Sequence, residues 1–151
     1  MIKIDEFVDS YKKSNDKENY VKNAIKHTYI PFMDKAVQAN KIVVATSMVD
    51  KKYKENSSAR YVFFVMSMLS MYFDVEYDAD NVYMEYDKVN ECGMIYYISK
   101  SVSDIEEFKI VLNMTLDDFR ANNLSLPAYL ETKFDAMSMV LNAILEKLDK
   151  S

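Results

Sequence analysis

Apolar residues recur along most of this chain at intervals of three and four, the period of an α-helix that buries one face. Residues that favour the starts and ends of helices fall between these periodic segments. The pattern predicts an all-α protein of about six or seven helices, a helical bundle with a long C-terminal helix. Because no internal repeat or long linker interrupts it, we expect a single compact domain over residues 1–151.

Short polar breaks divide the first part of the chain. A first helix is predicted over Ile4–Lys13. Asn15 opens a second helix, with Glu18 in the capping-box position three residues later. Pro31 disfavours helix at the residue before it and suits the first turn of a third helix, which carries apolar residues as far as Met48.

The most apolar segment of the chain is Tyr61–Phe73. A charged connection over Lys51–Ser58 precedes it, and Ser57 or Ser58 is predicted to cap a helix that ends near Asp74. The segment is shorter than the roughly 20 apolar residues that span a membrane, so we predict a buried core helix. We expect the methionines within apolar helices to fill gaps in the core, namely Met66, Met68, Met71, Met137 and Met139.

Two shorter segments follow the central helix. Asp80 or Asn81 is predicted to cap a helix that runs to Glu91. Gly93 ends this helix in the left-handed conformation that glycine favours. A short apolar segment over Met94–Ser99 comes next.

The last third of the chain predicts two long helices. Ser103 and Glu106 form a capping box for the first, which ends at Asn122–Asn123. Ser125 caps the second, with Pro127 in its first turn. This helix carries a heptad seam of about two and a half repeats, which is short for a coiled coil, so we expect the seam to pack onto its own domain. The seam consists of Leu130, Phe134, Met137, Leu141, Ile144 and Leu148.

Glycine is almost absent, since Gly93 is the single one among 151 residues. This scarcity excludes glycine-rich phosphate loops, dinucleotide-binding fingerprints and tight hairpins that depend on glycine. The single cysteine, Cys92, fits a reducing compartment because it has no internal partner for a disulfide. A dyad of Cys92 with the single histidine, His27, lacks the motifs that accompany such pairs. We therefore predict no catalytic residue, no cofactor and no metal.

Acidic residues and tyrosines alternate in the segment 74–91, which contains seven acids and one lysine. The acids at positions 74–85 have the outline of a calcium loop, but Ala79 stands where that loop requires glycine, so calcium is not predicted. We expect an extended acidic segment with Val75, Tyr77 and Ala79 on its other side. Tyrosine is enriched where proteins meet, so this segment supplies candidate interface residues: Asp74, Glu76, Tyr77, Asp78, Asp80, Tyr83 and Tyr86.

The charge of the chain is unevenly distributed. Residues 1–56 carry a net charge of +3, whereas residues 57–151 carry −8. If acidic and basic groups lie on opposite sides, copies of the chain contact one another head to tail and close into rings; the alternative is an unevenly charged soluble surface. With a total of −5 and two arginines, we expect no general affinity for nucleic acid or for anionic membranes. The candidate basic residues are Lys12, Lys13, Lys51, Lys52 and Lys54.

The segments YIPFMDKAVQANKIVV (residues 29–44) and IEEFKIVLNMTLDDF (residues 105–119) resemble small proteins encoded among the virion structural genes of tailed phages of low-GC Gram-positive bacteria. In that setting an all-helical protein of this size is similar to head–tail connector (adaptor) proteins, which form rings below the portal and carry no enzyme activity. The resemblance implies a non-enzymatic structural protein, assembled in the host cytoplasm and located in the virion. Its partners would be other copies of itself and portal or tail proteins. The resemblance assigns no functional residue of that family to a position in this chain.

Two other functions remain open from the sequence. An acidic inhibitor of a host defence or regulatory protein would need carboxylates at phosphate-like spacing, and the acids at positions 74–80 form a short patch of this kind. A tail-assembly chaperone would be absent from finished particles. An enzyme is the least favoured function, and we expect no sequence-specific contact with nucleic acid, no membrane and no small-molecule ligand.

Overall fold

The structure, a computed structural model, describes residues 1–124, 137 and 139–148. Residues 1–124 form seven α-helices, one 3-10 helix and four strands of two residues each, which confirms the all-α fold class. The elements in chain order are β1 (Ile2–Lys3), α1 (Ile4–Lys13), α2 (Lys17–Ala24), α3 (Phe32–Ser47), β2 (Met48–Val49), β3 (Lys52–Tyr53), α4 (Ser57–Phe73), β4 (Val75–Glu76), the 3-10 helix (Ala79–Asn81), α5 (Val82–Glu91), α6 (Met94–Ser101) and α7 (Ile105–Asn123).

The chain clusters into two compact units, Met1–Thr115 and Leu116–Ser151. The single domain that the sequence predicts stays a prediction. Residues 139–148 are helical, as is Met137. The beginning of the predicted C-terminal helix, with Ser125, Pro127, Leu130 and Phe134, lies outside the described residues.

The core of the first unit is built around α4, as its apolar composition predicts. Ten of the 17 residues of this helix are buried. Helix α4 packs against α3 and α5, while α2 packs against α6. At the end of α4, the ring of Phe73 meets the buried ring of Phe7 from α1 at a centroid distance of 5.7 Å. The predicted central core helix is therefore confirmed.

The methionine prediction is confirmed for Met66 and Met68, is not confirmed for Met71 of the same helix, which is partly exposed, and is wrong for Met137 and Met139. Met66 and Met68 are buried, because they lie on faces of α4 that neighbouring helices cover. Met137 and Met139 are 59% and 74% exposed.

The caps of two helices lie one or two residues from their predicted positions. Asp16 caps α2, one residue later than predicted, and its carboxylate accepts a hydrogen bond of 3.1 Å from the backbone N–H of Asn19. Asn56 caps α4, just before the two serines predicted for this role, and its side chain accepts from the N–H of Ala59 at 3.0 Å. Each cap satisfies a backbone donor of the first helical turn, and Asp, Asn and Ser are about equally suited to that position.

The end of α5 agrees with the sequence prediction. Gly93 has a φ of 79°, in the left-handed region, and separates α5 from α6. The apolar segment after Gly93 forms α6, which extends two residues beyond the predicted Ser99.

A tight β-hairpin occupies the start of the segment predicted as a charged connection. Strands β2 and β3 pair antiparallel, with Met48 opposite Tyr53. Asp50 and Lys51 form the two-residue turn with φ values of 51° and 64°. This hairpin contains no glycine, so it is not one of the glycine-dependent hairpins that the sequence excludes; Asp50 and Lys51 adopt the positive φ values that such a turn requires.

We expect glycine at this turn to stabilise the protein. The left-handed conformation costs a residue with a side chain roughly 1–2 kcal/mol, least for Asp and Asn, whereas glycine adopts it freely. Lys51→Gly should therefore raise the free energy of unfolding by about 0.5–1 kcal/mol in urea titrations. The control is Lys54→Gly, outside the turn, which should bring no gain. An equal gain from both variants would contradict the argument.

Candidate protein-interaction site

The predicted acidic segment folds into β4, the 3-10 helix and α5, and part of it lines a cleft of about 370 Å³. Strand β4 pairs parallel to β1, which places Lys3 opposite Glu76. Val75 is fully buried and Glu76 is exposed, as the alternation predicts, but Ala79 is exposed because the 3-10 helix begins there. The residues of this acidic cleft are Lys3, Glu76, Tyr77, Asp78, Ala79 and Glu85.

Asp78 organises the acidic cleft from within. Its carboxylate accepts hydrogen bonds from the backbone N–H of Asp80 at 3.0 Å and from the side-chain amide of Asn81 at 2.7 Å. The backbone N–H of Asp78 donates to the carboxylate of Glu85 at 2.8 Å. Asp78 and Glu85 thus hold the turn, while Glu76 and Asp80 present exposed carboxylates.

A pair of tyrosines lies on the faces of α4 and α5. The rings of Tyr61 and Tyr86 meet edge to face at a centroid distance of 5.7 Å, and the hydroxyl of Tyr86 donates to that of Tyr61 at 3.3 Å. Burial, followed by this hydrogen bond, raises the pKa of Tyr86 to about 12. Tyr61 and Tyr83 are each about half exposed, at 52% and 51%. The sequence predicts Tyr83 and Tyr86, but not Tyr61, which becomes part of the site because α4 packs against α5.

Asp74 lies apart from the acidic cleft, although the sequence groups it there. It ends α4 in the left-handed conformation, with a φ of 55°. Its carboxylate lies 3.2 Å from Nε2 of His27. His27 therefore contacts Asp74, while the thiol of Cys92 donates to the carbonyl of Val89 at 3.2 Å, so the two members of the conceivable dyad have different partners.

The predicted lysines fall into two groups on separate elements. Lys12 and Lys13 form the last turn of α1, where cations complement the helix dipole. The ten residues of α1 span about 15 Å, which separates them from Lys3 of the acidic cleft at its other end. The second group lies in or next to the hairpin after α3 and consists of Lys51, Lys52 and Lys54, all exposed.

Lys17, which the sequence does not single out, fixes the end of α1. Its ammonium group donates to the carbonyls of Tyr11, Lys12 and Ser14 at 2.7, 2.7 and 2.6 Å. The carbonyls of Tyr11 and Lys12 lie in the last turn of α1, where a helix end leaves carbonyls without intrahelical partners. The spacing from Lys17 back to Tyr11 is the signal that could have indicated such a cap.

A buried lysine cluster lies elsewhere in the first unit. Lys35 is completely buried, and its ammonium group contacts the carboxylates of Asp104 and Glu107 at 2.8 and 2.9 Å. It also lies 4.4 Å from the ring centroid of Tyr29. Asp104 further accepts from the hydroxyl of Tyr72 at 2.8 Å and from the N–H of Ile30 at 3.0 Å. The buried lysine cluster therefore joins α3, α4 and the residue directly before α7.

Electrostatics keeps the buried lysine cluster charged. Burial lowers the pKa of Lys35, but its hydrogen bonds to Asp104 and Glu107 outweigh burial and raise the pKa overall. Burial raises the pKa of Asp104, and hydrogen bonds from Lys35, Ile30 and Tyr72 outweigh it and lower the pKa overall. Burial and the bond to Asp104 raise the pKa of Tyr72 above its ordinary range. Lys35 is thus held protonated, a state in which its amine is not a nucleophile.

This cluster predicts a stability that falls in acid. The pKa of Asp104 is lower in the folded chain than its unfolded value near 3.9, so its contribution is present above that pH and disappears as the pH falls through the folded pKa. We expect Asp104→Asn to flatten the dependence of the free energy of unfolding on pH between about 2 and 5. Urea titrations at several pH values measure this. An unchanged slope would contradict the prediction.

A larger cavity, of about 590 Å³, lies between α1, α2 and the end of α4. Ile2, Phe7 and Phe73 supply apolar wall, and Asp16 and Asn19 belong to its polar lining. Its volume is within the range of ligand pockets, roughly 300–1,000 Å³. The sequence gives no sign of it, because its walls come from three separate elements.

Two kinds of site are absent from the part of the chain that the structure describes. Among residues 1–124, 137 and 139–148, no three side chains of His, Cys, Asp or Glu are grouped so that they could hold a metal ion. Within these same residues, no helix has both the length and the hydropathy needed to cross a membrane.

No protein-family model, curated protein or solved structure matches this chain. The described residues define a protein of the all-α class with exposed tyrosines on α4 and α5, an acidic cleft, and lysines on separate elements.

Proposed function

We propose that this chain is a non-enzymatic virion structural protein of a tailed phage, a head–tail connector subunit that acts by oligomeric assembly. The acidic cleft of one copy meets the lysines of the next copy, and contacts of this kind close into a ring. The exposed tyrosines of α4 and α5 supply apolar contact area with polar tips. Portal or tail proteins are the further partners.

The observation that carries this proposal is the placement of opposite charges at the two ends of α1. Glu76 and Asp80 belong to or adjoin the acidic cleft at one end, and Lys12 and Lys13 end the helix at the other. Within one copy, the acidic group and the lysine group lie at opposite ends of α1 and do not pair with each other. Two neighbouring copies in head-to-tail order bring the acidic group of one next to the lysines of the other. The resemblance of residues 29–44 and 105–119 to phage structural-gene proteins supports the setting.

The charge placement favours assembly over an acidic inhibitor of a host protein. Mimicry of nucleic acid requires several outward carboxylates in a row. Both carboxylate oxygens of Asp78 accept hydrogen bonds within its own turn, and the carboxylate of Asp74 contacts His27. In the segment 74–80, the outward carboxylates are therefore those of Glu76 and Asp80, which do not form a continuous row.

A charge-exchange experiment tests the head-to-tail contact. We expect the variant Glu76→Lys/Asp80→Lys to weaken self-association at least about tenfold, measured by sedimentation of the full chain with its portal and tail partners. Combining it with Lys12→Glu/Lys13→Glu should restore association, because the attraction is re-formed with opposite signs. The matched control, Asp9→Lys/Asp118→Lys, makes the same change in net charge on exposed residues outside the cleft and should have a smaller effect.

Mass spectrometry of purified virions tests the setting. The proposal requires this polypeptide in the particle. Absence from particles but presence during assembly would indicate a tail-assembly chaperone instead. Recovery from host lysate with a nuclease or polymerase, and with no virion protein, would indicate the inhibitor. A strict monomer that binds no portal or tail protein would overturn the connector model.

A further inference from the structure

Helix α2 contributes two rows of side chains to the cavity of about 590 Å³ between α1, α2 and the end of α4. Tyr20 and Ala24, one helical turn apart, form an apolar row, and Asn19 and Asn23 form a polar row next to it. All the residues that line this cavity belong to the first unit. The cavity therefore has an apolar side and a polar side that are both built within one unit.

The apolar side of the cavity is largely aromatic. The ring of Phe7 meets the rings of Phe73 and Tyr20 at centroid distances of 5.7 and 5.9 Å. Phe7 and Phe73 are almost completely buried and close the floor, whereas Tyr20 is partly exposed and Ile2 is exposed. A pocket with an aromatic floor and a few polar groups is typical of sites for small ligands with an apolar body.

The polar side of the cavity has hydrogen-bonding capacity that the described part of the chain does not use. Within that part, the side-chain amides of Asn19 and Asn23 have no hydrogen-bond partner. Each asparagine amide offers a donor and an acceptor side by side, which matches a ligand edge with the same pair, such as N6 and N7 of adenine. Two such amides one turn apart therefore favour a ligand with a flat, hydrogen-bonding edge.

The charges around the cavity favour an uncharged ligand. Its lining includes the carboxylates of Asp16 and Asp74 and the ammonium group of Lys26. One carboxylate oxygen of Asp16 caps α2, and a carboxylate can also accept from the hydroxyls of a sugar. Because acidic groups outnumber the lysine, a ligand that carries a phosphate meets repulsion here. The cavity thus suits a sugar-linked base better than its phosphorylated form.

We propose that this cavity binds an uncharged nucleoside, with its base against the aromatic side and the edge of the base on Asn19 and Asn23. The proposal goes beyond the connector function, and the cavity shares no residue with the acidic cleft or with the lysines proposed to meet it. It also differs from the expectation, drawn from the sequence, that the chain has no small-molecule ligand.

Titration calorimetry of the full chain with adenosine tests the site, since the asparagine amide matches the edge of adenine. We expect one adenosine per chain and a higher melting temperature in its presence. Adenosine 5′-monophosphate should bind at least about tenfold more weakly, because its phosphate meets the carboxylates. No binding of adenosine at millimolar concentration would overturn the proposal, and so would tighter binding of the monophosphate.

A double variant of the polar row tests the contact with the base. Asn19→Ala/Asn23→Ala should weaken adenosine binding at least about tenfold, because it removes hydrogen bonds to the ligand. Alanine is the better helix former, so the melting temperature without ligand should not fall. The matched control, Asn40→Ala/Asn113→Ala, makes the same change at exposed positions of α3 and α7 and should bind adenosine as the wild type does. Equal affinities of the two double variants would overturn the proposal.

A variant that fills the cavity tests its location. Ala24→Phe places a ring in the space lined by α2 and should abolish adenosine binding. The matched control is Ala45→Phe, an exposed position of α3, which should keep it. Thermal unfolding monitors the first unit in each variant. Unchanged binding by a folded Ala24→Phe chain would overturn the proposal, and the polar-row variant decides the matter if Ala24→Phe does not fold.

Discussion

Replacing Lys35 with alanine should lower the free energy of unfolding by about 3–5 kcal/mol, since it leaves the nearly buried carboxylate of Asp104 without its cation. The ammonium group of Lys35 is completely inaccessible and contacts two carboxylates at 2.8 and 2.9 Å. Urea titration at neutral pH measures the loss. The control is Lys41→Ala, an exposed lysine of the same helix, which should change stability by less than about 0.5 kcal/mol.

A companion double variant separates charge from packing. Lys35→Met/Asp104→Asn removes both charges while keeping a carbonyl oxygen that accepts from Tyr72 and Ile30. It should be more stable than Lys35→Met alone, because no unpaired charge is left buried. The double variant could instead be less stable than Lys35→Met by as much as Asp104→Asn destabilises the wild type. In that case the side chains of Lys35 and Asp104 contribute independently to the free energy of unfolding, and their ion pair contributes no coupling energy.

The second large effect is expected at Phe108. Its ring is completely buried and stacks on Phe64 of α4, with centroids 4.9 Å apart and planes at 16°. Phe108→Ala should lower the free energy of unfolding by about 3–5 kcal/mol, through lost burial and the cavity that remains. Calorimetry or urea titration measures it.

The matched control for Phe108 is Ile110→Ala, two residues later on the same helix and 57% exposed. Its effect should stay below about 0.5 kcal/mol, because little apolar area is lost. Equal effects at the two positions would show that the start of α7 is not held by its buried face. Together, Lys35 and Phe108 describe one polar and one apolar contact that hold the start of α7 within the first unit.

The candidate site was partly predictable. The sequence identifies Glu76, Tyr77 and Asp78, which the structure brings together in one cleft, because neighbours in an extended segment stay close in space. It does not identify Tyr61, which lies 25 residues before Tyr86 and meets it through the packing of two helices. It places Asp74 in the same group, whereas the end of α4 directs this residue toward His27.

The hairpin is a turn that the composition of the chain does not indicate. The number of glycines shows how many residues can adopt positive φ at low cost. Asp50 and Lys51 adopt positive φ at a higher cost, because the strands on either side of them pair. The stability of that pairing compensates the cost of the turn. A tight turn without glycine therefore forms where cross-strand contacts favour it.

The sequence by itself determines that this protein is all-helical and roughly where its helices begin and end. Periodicity, caps and the left-handed Gly93 act within a few residues, so local pattern suffices for them. Only the tertiary structure decides that Lys35, an ordinary lysine by sequence, is buried between carboxylates 69 and 72 positions away. Burial and charge pairing depend on which distant residues meet, and no local pattern carries that information.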